Sequence, residues 1–347
     1  GGSLYFYSTG TNKLSNTNNL RTTVTNDLNY SSDYYISKLG FNNNFDLYIK
    51  NLNSIGKNDP IYSSNANIDG MGLFKINSSF PMLKSKNTVR ETLIPKISLR
   101  INPGNNMNNY SGSSSSINTY NVFDMNRLGL ENDFEAGRSL TLGLDYKFDK
   151  IENDQINNQK DKYLEFKLAT VVRDQNEDNI PISSTINQKN SDLFGSINSK
   201  LFDNINLAYD FSMENNLSTI NSHSIETEIS VNNFITTFNF IEQRNKIGST
   251  HLLSNTTKYR INDSSTLNFS TSRNKKINLT EYYDLSYEYK NDCLTAALRF
   301  NKSFYQDKDL KPTEDLFFTI TLIPLTTYER EIYKKTPGQS GLEGWLK

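Results

Sequence analysis

His223, His251 and Cys293 are the only imidazoles and the only thiol in 347 residues, and they bound the chemistry available to this chain. A Ser/His or Asp/His mechanism needs a histidine held beside a nucleophile or a water. Both histidines fall near expected loops, and a lone histidine there is ordinarily a surface residue. There is no Gly-rich phosphate loop, no Cys/His metal spacing and no histidine cluster. The expectation is therefore no catalytic site, no metal and no cofactor. Asn-x-Ser/Thr triplets such as Asn77-Ser78-Ser79 follow from an Asn- and Ser-rich composition alone. With 37 basic and 38 acidic residues, a net charge of -1 and a pI near 6.3, no nucleic-acid partner is expected. Charges of both signs are spread along the chain, as in a solvated lining rather than the one-sided ring of an ion-selective pore.

The turns spell out the elements that carry these residues. Asp203-Asn204, Asn232-Asn233, Asn262-Asp263 and Asn291-Asp292 recur at intervals of 29, 30 and 29 residues. Such a period holds two strands of about 10 residues, one tight turn and one longer loop, the repeat of an up-and-down transmembrane β-barrel. Between the turns the side chains alternate as strands with one apolar and one polar face must. Leu140, Leu142, Leu144, Tyr146 and Phe148 point one way, and Thr141, Gly143, Asp145 and Lys147 the other. Tyr283, Leu285, Tyr287 and Tyr289 alternate in the same way with Asp284, Ser286, Glu288 and Lys290, as do Leu294, Ala296, Leu298 and Phe300 with Cys293, Thr295, Ala297 and Arg299.

Composition agrees with that architecture. Only 35% of residues are hydrophobic and mean hydropathy is -0.64, yet there are 20 Tyr and 20 Phe. A barrel needs apolar side chains on its outer band, aromatic girdles at the interfaces and a polar interior. No run of about 18 apolar residues offers a membrane-spanning helix. A secreted Asn-rich β-sandwich or β-helix is the alternative, but the turn spacing exceeds the 8 to 12 residues usual in a sandwich. The expected fold is all-β, a transmembrane antiparallel up-and-down barrel with about 16 strands, the last at Leu316 to Leu325. Residues 1–325 would be the barrel segment and 326–347 a periplasmic tail. Asn102 to Arg138, with its run Ser111 to Ser116, is too long for a hairpin loop, and would lie on the surface or fold into the lumen. The N-terminus shows no signal peptide, so the chain reads as a mature product or a fragment, with Gly1-Gly2-Ser3 either native or a linker.

Four stretches in order resemble one family. Asn121-Val-Phe-Asp-Met-Asn-Arg127, followed by Glu135-Ala-Gly137 and Leu140 to Tyr146, is similar to the luminal-loop motif of the outer-membrane LPS-assembly proteins (LptD/OstA). Leu93-Ile-Pro95-Lys-Ile-Ser-Leu99 resembles the strand before that loop. Ser191-Asp192-Leu-Phe-Gly195 resembles the family's Ser-Asp-x-x-Gly strand, and Tyr289-Lys-Asn-Asp292-Cys293 its C-terminal hairpin. Where many members have Asp-Arg before the luminal glutamate, this chain has Asn132-Asp133.

The resemblance implies the C-terminal part of a 26-strand-type barrel in the outer membrane of a Gram-negative bacterium, a non-enzymatic translocon that inserts lipopolysaccharide into the outer leaflet. Its implied partners are lipopolysaccharide, a plug lipoprotein of the LptE type, a periplasmic LPS-bridge protein reached through an upstream jelly roll, and outer-membrane lipid. Implied luminal-loop residues are Phe123, Asp124, Asn126, Arg127 and Glu135. Cys293 would pair with a cysteine upstream of this chain, in the oxidising periplasm. A general diffusion porin or receptor barrel is the second reading. If Leu316 to Leu325 ends in the periplasm, the turns at Asp203, Asn232, Asn262 and Asn291 are periplasmic and the longer loops face outward. A lateral lipid exit is then expected at that strand, where Leu316, Phe318, Ile320 and Leu322 form the lipid-facing row and Pro324 removes a ladder donor.

Overall fold

The computed structural model describes residues 1–104, 116–130, 135–152, 160–244, 247–304, 312–322 and 326–335. Among the described residues, nineteen antiparallel strands belong to one sheet. Those in the first half are β1 (Gly2–Ser15), β2 (Asn19–Ser32), β3 (Tyr35–Ile36), β4 (Asn42–Lys57), β5 (Asn67–Ser79), β6 (Met82–Lys86), β7 (Val89–Asn102), β8 (Gly137–Glu152) and β9 (Lys160–Arg173). After them come β10 (Leu193–Phe202), β11 (Ile205–Met213), β12 (Ile220–Val231), β13 (Phe234–Gln243) and β14 (His251–Asn262). The last are β15 (Ser265–Asn274), β16 (Leu279–Lys290), β17 (Leu294–Ser303), β18 (Thr313–Leu322) and β19 (Thr326–Lys335). Among the described residues no helix is long and apolar enough to cross a membrane.

Three of these strands go beyond the sixteen expected. β3 is a two-residue piece paired with the start of β4. β6 continues β5 past Phe80-Pro81, so that β7 pairs with β5 through Lys96 to Ile101 and with β6 through Val89 to Leu93. A proline cannot donate to the ladder, which accounts for the break. β19 overturns a larger expectation. Residues 326–335, read as the start of a tail, pair along β18 from Leu322↔Thr326 to Glu314↔Lys335. β18 therefore carries β17 on one edge and β19 on the other, and it is not a terminal strand. The lipid exit expected at Leu316, Phe318, Ile320 and Leu322 loses its basis, and Pro324 lies outside the described residues.

The expected turns close with one shift. Asp203-Asn204 and Asn232-Asn233 form two-residue turns, and Asn232 takes φ 51°, a left-handed conformation that Asn tolerates. The third turn falls one residue later, at Asp263-Ser264, because a bulge between Arg260 and Asn262 moves the register. In the fourth, Asn291 Oδ1 accepts from the amides of Cys293 and Leu294 at 3.0 and 2.8 Å, an Asx turn.

The chain divides into two compact units, the first mainly Gly1–Ile197 with Asp210–Asn221, the second Asn198–Tyr209, Ser222–Arg244 and the chain from Ser249 onward. In the second unit the two-residue period is plain on β16, where Tyr283, Leu285, Tyr287 and Tyr289 are exposed and the residues between them mostly are not. Every buried hydrophobic side chain among the described residues lies in the first unit, whereas Thr236, Ser265 and Ser272 are buried in the second. A sheet with polar residues covered and apolar ones exposed inverts a water-soluble protein, and lipid is the solvent that suits it.

The first unit has the same outer row, with Phe45, Leu47 and Ile49 exposed on β4, but Lys50, Leu52 and Ser54 on the opposite row are buried. Loops cover that row. Leu52, Tyr62, Met71 and Leu73 form one small core, with Met125 packed against it. Loop 58–66 is held by Asp59, which accepts from Arg21 Nε at 2.8 Å and from the amides of Ile61 and Tyr62 at 2.8 and 3.0 Å. The Arg21 guanidinium bonded to its carboxylate lowers Asp59 to about 2.

Candidate functional site

The covering loop is built by its own asparagines. Asn118 Oδ1 accepts from the amides of Tyr120 and Asn121 at 2.9 and 3.1 Å, and Asn121 Oδ1 accepts from Asn118 N at 2.9 Å. Asn126 closes the next turn, accepting from Leu130 N at 2.8 Å and donating to its carbonyl at 2.7 Å. These local bonds replace a ladder and let residues 116–130 curl compactly. Ile117, Val122 and Leu128 then pack with Ala136, Ala169, Val171, Ile180, Ile186 and Phe194, a core resting on the polar faces of β9 and β10.

A buried ionic cluster pins the loop from beneath. Arg127, 1% exposed, makes a two-pronged contact with Glu135, Nε to Oε2 at 2.7 Å and Nη2 to Oε1 at 2.5 Å. It also donates to Thr141 Oγ1 and Ser139 Oγ on β8, both at 3.0 Å. Arg173, the last residue of β9, reaches the same carboxylate and donates to the Ala136 carbonyl at 3.0 Å and to the Ile186 carbonyl. Arg100 on β7 lies 3.9 Å from Glu135 and donates to the carbonyls of Asp124 and Met125 at 2.7 and 2.6 Å. Lys75 on β5 donates to the Phe123 carbonyl. Three guanidiniums thus share one carboxylate. Burial opposes the charge of Glu135, but Arg127 and Arg100 outweigh that cost and hold its carboxyl well below the usual range. The Phe123 ring lies over Gly143, where an added Cβ would come within 2.6 Å of the ring.

Asp192 organises a second buried site. Its Oδ2 accepts from Ser212 Oγ at 2.6 Å and Asn221 Nδ2 at 2.9 Å, tying the start of β10 to β11 and β12 within the first unit. Ser191 Oγ accepts from Val171 N at 2.9 Å and donates to the Asp192 carbonyl at 2.7 Å. At Gly195 a Cβ would stand 2.1 Å from the Phe211 ring. The Ser-Asp-x-x-Gly stretch is therefore a strand start that crosslinks its neighbours and leaves room for an aromatic ring.

Of the residues singled out in the loop motif, Phe123, Arg127 and Glu135 meet the strands directly, and Asp124 does so through its carbonyl. Asn126 serves the loop's own turn. Asn132 and Asp133 lie outside the described residues. Lys75, Arg100 and Arg173 were missed as partners, although each stands in a polar row, Arg100 immediately after the matched Leu93 to Leu99 stretch. Cys293 is exposed in its turn, and the chain has no second cysteine to pair with it. His223 bonds Glu242 at 2.9 Å, and His223 and His251 flank the Phe240 ring at 5.4 and 5.5 Å. Neither histidine is bonded to a hydroxyl or thiol among the described residues.

A meandering antiparallel sheet with an apolar outer row, and with a loop pinned across its polar row, defines an outer-membrane β-barrel protein. The family model described as LPS transport system D, LptD, matches residues 62–265. That is more than half of the chain, which belongs to this family. The family assigns a role in lipopolysaccharide transport at the outer membrane and points to transport rather than catalysis. No curated protein matches the chain. Among solved structures, a triple mutant of Rhodopseudomonas blastica porin is similar at 9% identity and a TM-score of 0.31, covering 95% of this chain and 100% of its own. A structure described as "Asymmetric conductivity of engineered proteins" is similar at 8% identity and 0.32, with the same coverage. At that level, strand-rich sheets of unlike function resemble one another.

Proposed function

We propose that this chain is part of the wall of a translocon that inserts lipopolysaccharide into the outer leaflet, working with a plug lipoprotein and a periplasmic bridge protein. The observation favouring this over a diffusion pore is that residues 116–130 and 135–136 are locked by Arg127, Glu135, Arg100 and Arg173 across the polar face of β5 to β10. A diffusion pore needs that face open to water, whereas a guided path for one large amphiphile can be partly filled. The test is depletion of the protein in cells while newly made lipopolysaccharide is pulse-labelled and probed with a surface reagent that cannot cross the membrane. Labelled lipopolysaccharide should fail to reach the surface. Normal arrival, or steady open conductance of the purified protein in planar bilayers, would favour the porin reading instead.

Orientation follows from loop length in this reading, since outer-membrane barrels have short periplasmic turns and longer outer loops. Counting back from β18 no longer supports it, because β19 follows. The tight turns at 232–233, 263–264 and 291–293 lie at one end of the strands β12 to β18, and the chain leaves β13, β15 and β17 for the next strand at the other. With Cys293 replaced by Ser, Ile247→Cys should react with an impermeant maleimide on intact cells and Asn233→Cys should not. The reverse pattern would invert the topology.

A further inference from the structure

Residues 33–41, which join β2 to β4 in the first unit, break the alternation that governs the strands. Tyr34, Tyr35 and Ile36 are consecutive, Leu39 follows, and all four are at least 67% exposed. The outer row beside them is better covered, with Phe45, Leu47 and Ile49 between 37% and 45% exposed. Tyr35 pairs with Asn43, on the face of Phe45, but Ile36 pairs with Asn42, on the opposite face. A strand against lipid needs apolar residues on one face only, so apolar residues on both call for a separate cause. The loop is built in this shape by its own bonds. Ser37 N donates to the Phe41 carbonyl at 2.8 Å, Gly40 N to the Ser37 carbonyl at 2.9 Å and Phe41 N to Ser37 Oγ at 3.0 Å, with Gly40 at φ 89°. From β4, Asn43 Nδ2 donates to the Tyr35 and Phe41 carbonyls at 3.3 and 3.0 Å. Four large apolar side chains are thus held out in a fixed arrangement.

We infer that this loop is a membrane anchor, seating Tyr34, Tyr35, Ile36 and Leu39 in the headgroup layer of a phospholipid leaflet. It continues an aromatic band of the first unit, in which Tyr30 lies 5.6 Å from Phe45, Phe45 6.2 Å from Phe74, and Phe41 4.8 Å from Phe80. Such bands mark the membrane interface of a barrel. Depth then decides the occupant. The pair Ile36↔Asn42 stands three residues beyond Phe45. That is about 10 Å at roughly 3.3 Å per residue, or about 7 Å along the membrane normal for strands tilted by about 45°. The headgroup layer on each side of the hydrocarbon is about 5–8 Å thick, so the pair lies within it and not in open water. Tyrosine suits that layer, because its ring is apolar while its hydroxyl stays wet. Asp33 and Lys38 are the only charged residues of the loop and they balance, which fits a zwitterionic headgroup rather than a cluster of phosphates. The fixed shape of the loop lowers the ordering cost of entering that layer.

Such an anchor requires only the lipid-facing outer row, whatever the barrel transports. The full chain with Trp345→Phe, which removes its only tryptophan, is refolded into phosphatidylcholine vesicles carrying Tyr34→Trp, Leu39→Trp or Tyr287→Trp. Position 287, on the outer row of β16, reports insertion of the strands. Phosphatidylcholine brominated near the top of its acyl chains should lower the emission from positions 34 and 39 about twofold, as for side chains at the headgroup boundary. Acrylamide in the water should quench both several-fold less than it quenches free tryptophan. Lipid quenching at 287, with quenching by acrylamide alone at 34 and 39, overturns the anchor and leaves the loop as a face for a soluble protein. No lipid quenching at any of the three positions overturns the membrane reading of the outer row, and the anchor with it.

Discussion

Glu135→Gln is expected to destabilise the protein by about 3–5 kcal/mol, the usual consequence of removing one partner from a buried ion pair. Glutamine keeps the volume and one acceptor oxygen, so packing is nearly unchanged. What disappears is the one negative charge shared by Arg127, Arg173 and Arg100, leaving three buried guanidiniums to repel one another. Urea unfolding of the refolded chain in micelles measures the loss, and limited proteolysis between residues 116 and 136 shows whether the loop comes off first. An unchanged midpoint would mean the cluster does not hold the loop. Acid gives a second readout. Because the folded carboxyl titrates below its usual value of 4.5, the stabilisation is fully present above pH 4.5 and is lost as pH falls through the lower folded value. The parent should keep this contribution at pH 4.5 and shed it at lower pH, while Glu135→Gln should lack that acid-sensitive component.

Gly195→Ala is the second large effect, with an expected cost of about 1–3 kcal/mol for overpacking. The added methyl would sit 2.1 Å from the Phe211 ring, so the ring or the strand must move. Phe211→Leu alone should also destabilise, by leaving the space beside Gly195 underfilled. Together the two changes should cost less than the sum of the single changes, since each removes part of the other's problem. Additive costs in the same urea series would show that the ring is not what the glycine accommodates.

Both predictions concern the first unit, and the contrast with the second bears on mechanism. The second unit has no buried hydrophobic side chain among its described residues, so in this reading its stability rests on ladder bonds and on lipid around its outer row. The first adds loop cores and ion pairs on the polar face. A wall that must pass a large amphiphile can keep one part rigid and filled while another stays thinly supported.

By itself the sequence determined the class of fold and the strand faces. The alternation through Leu140 to Phe148 and Tyr283 to Tyr289 is a property of the strand backbone, which points successive side chains to opposite sides whatever lies beyond. The Asn-rich turns are equally local, because Asn supplies both the left-handed conformation at 232 and the Asx turn at 291. The loop motif named Arg127 and Glu135, which do meet. β19 was hidden because Arg330 interrupts its apolar row of Tyr328 and Ile332, and Pro324 read as an ending. Tertiary structure alone decided that Arg100 and Arg173 join Glu135. A period of two assigns a residue to a face, and a polar residue facing water looks the same in sequence as one facing a folded-back loop. Which of them is covered depends on ladder register and on where a loop 34 residues long between Asn102 and Gly137 comes to rest.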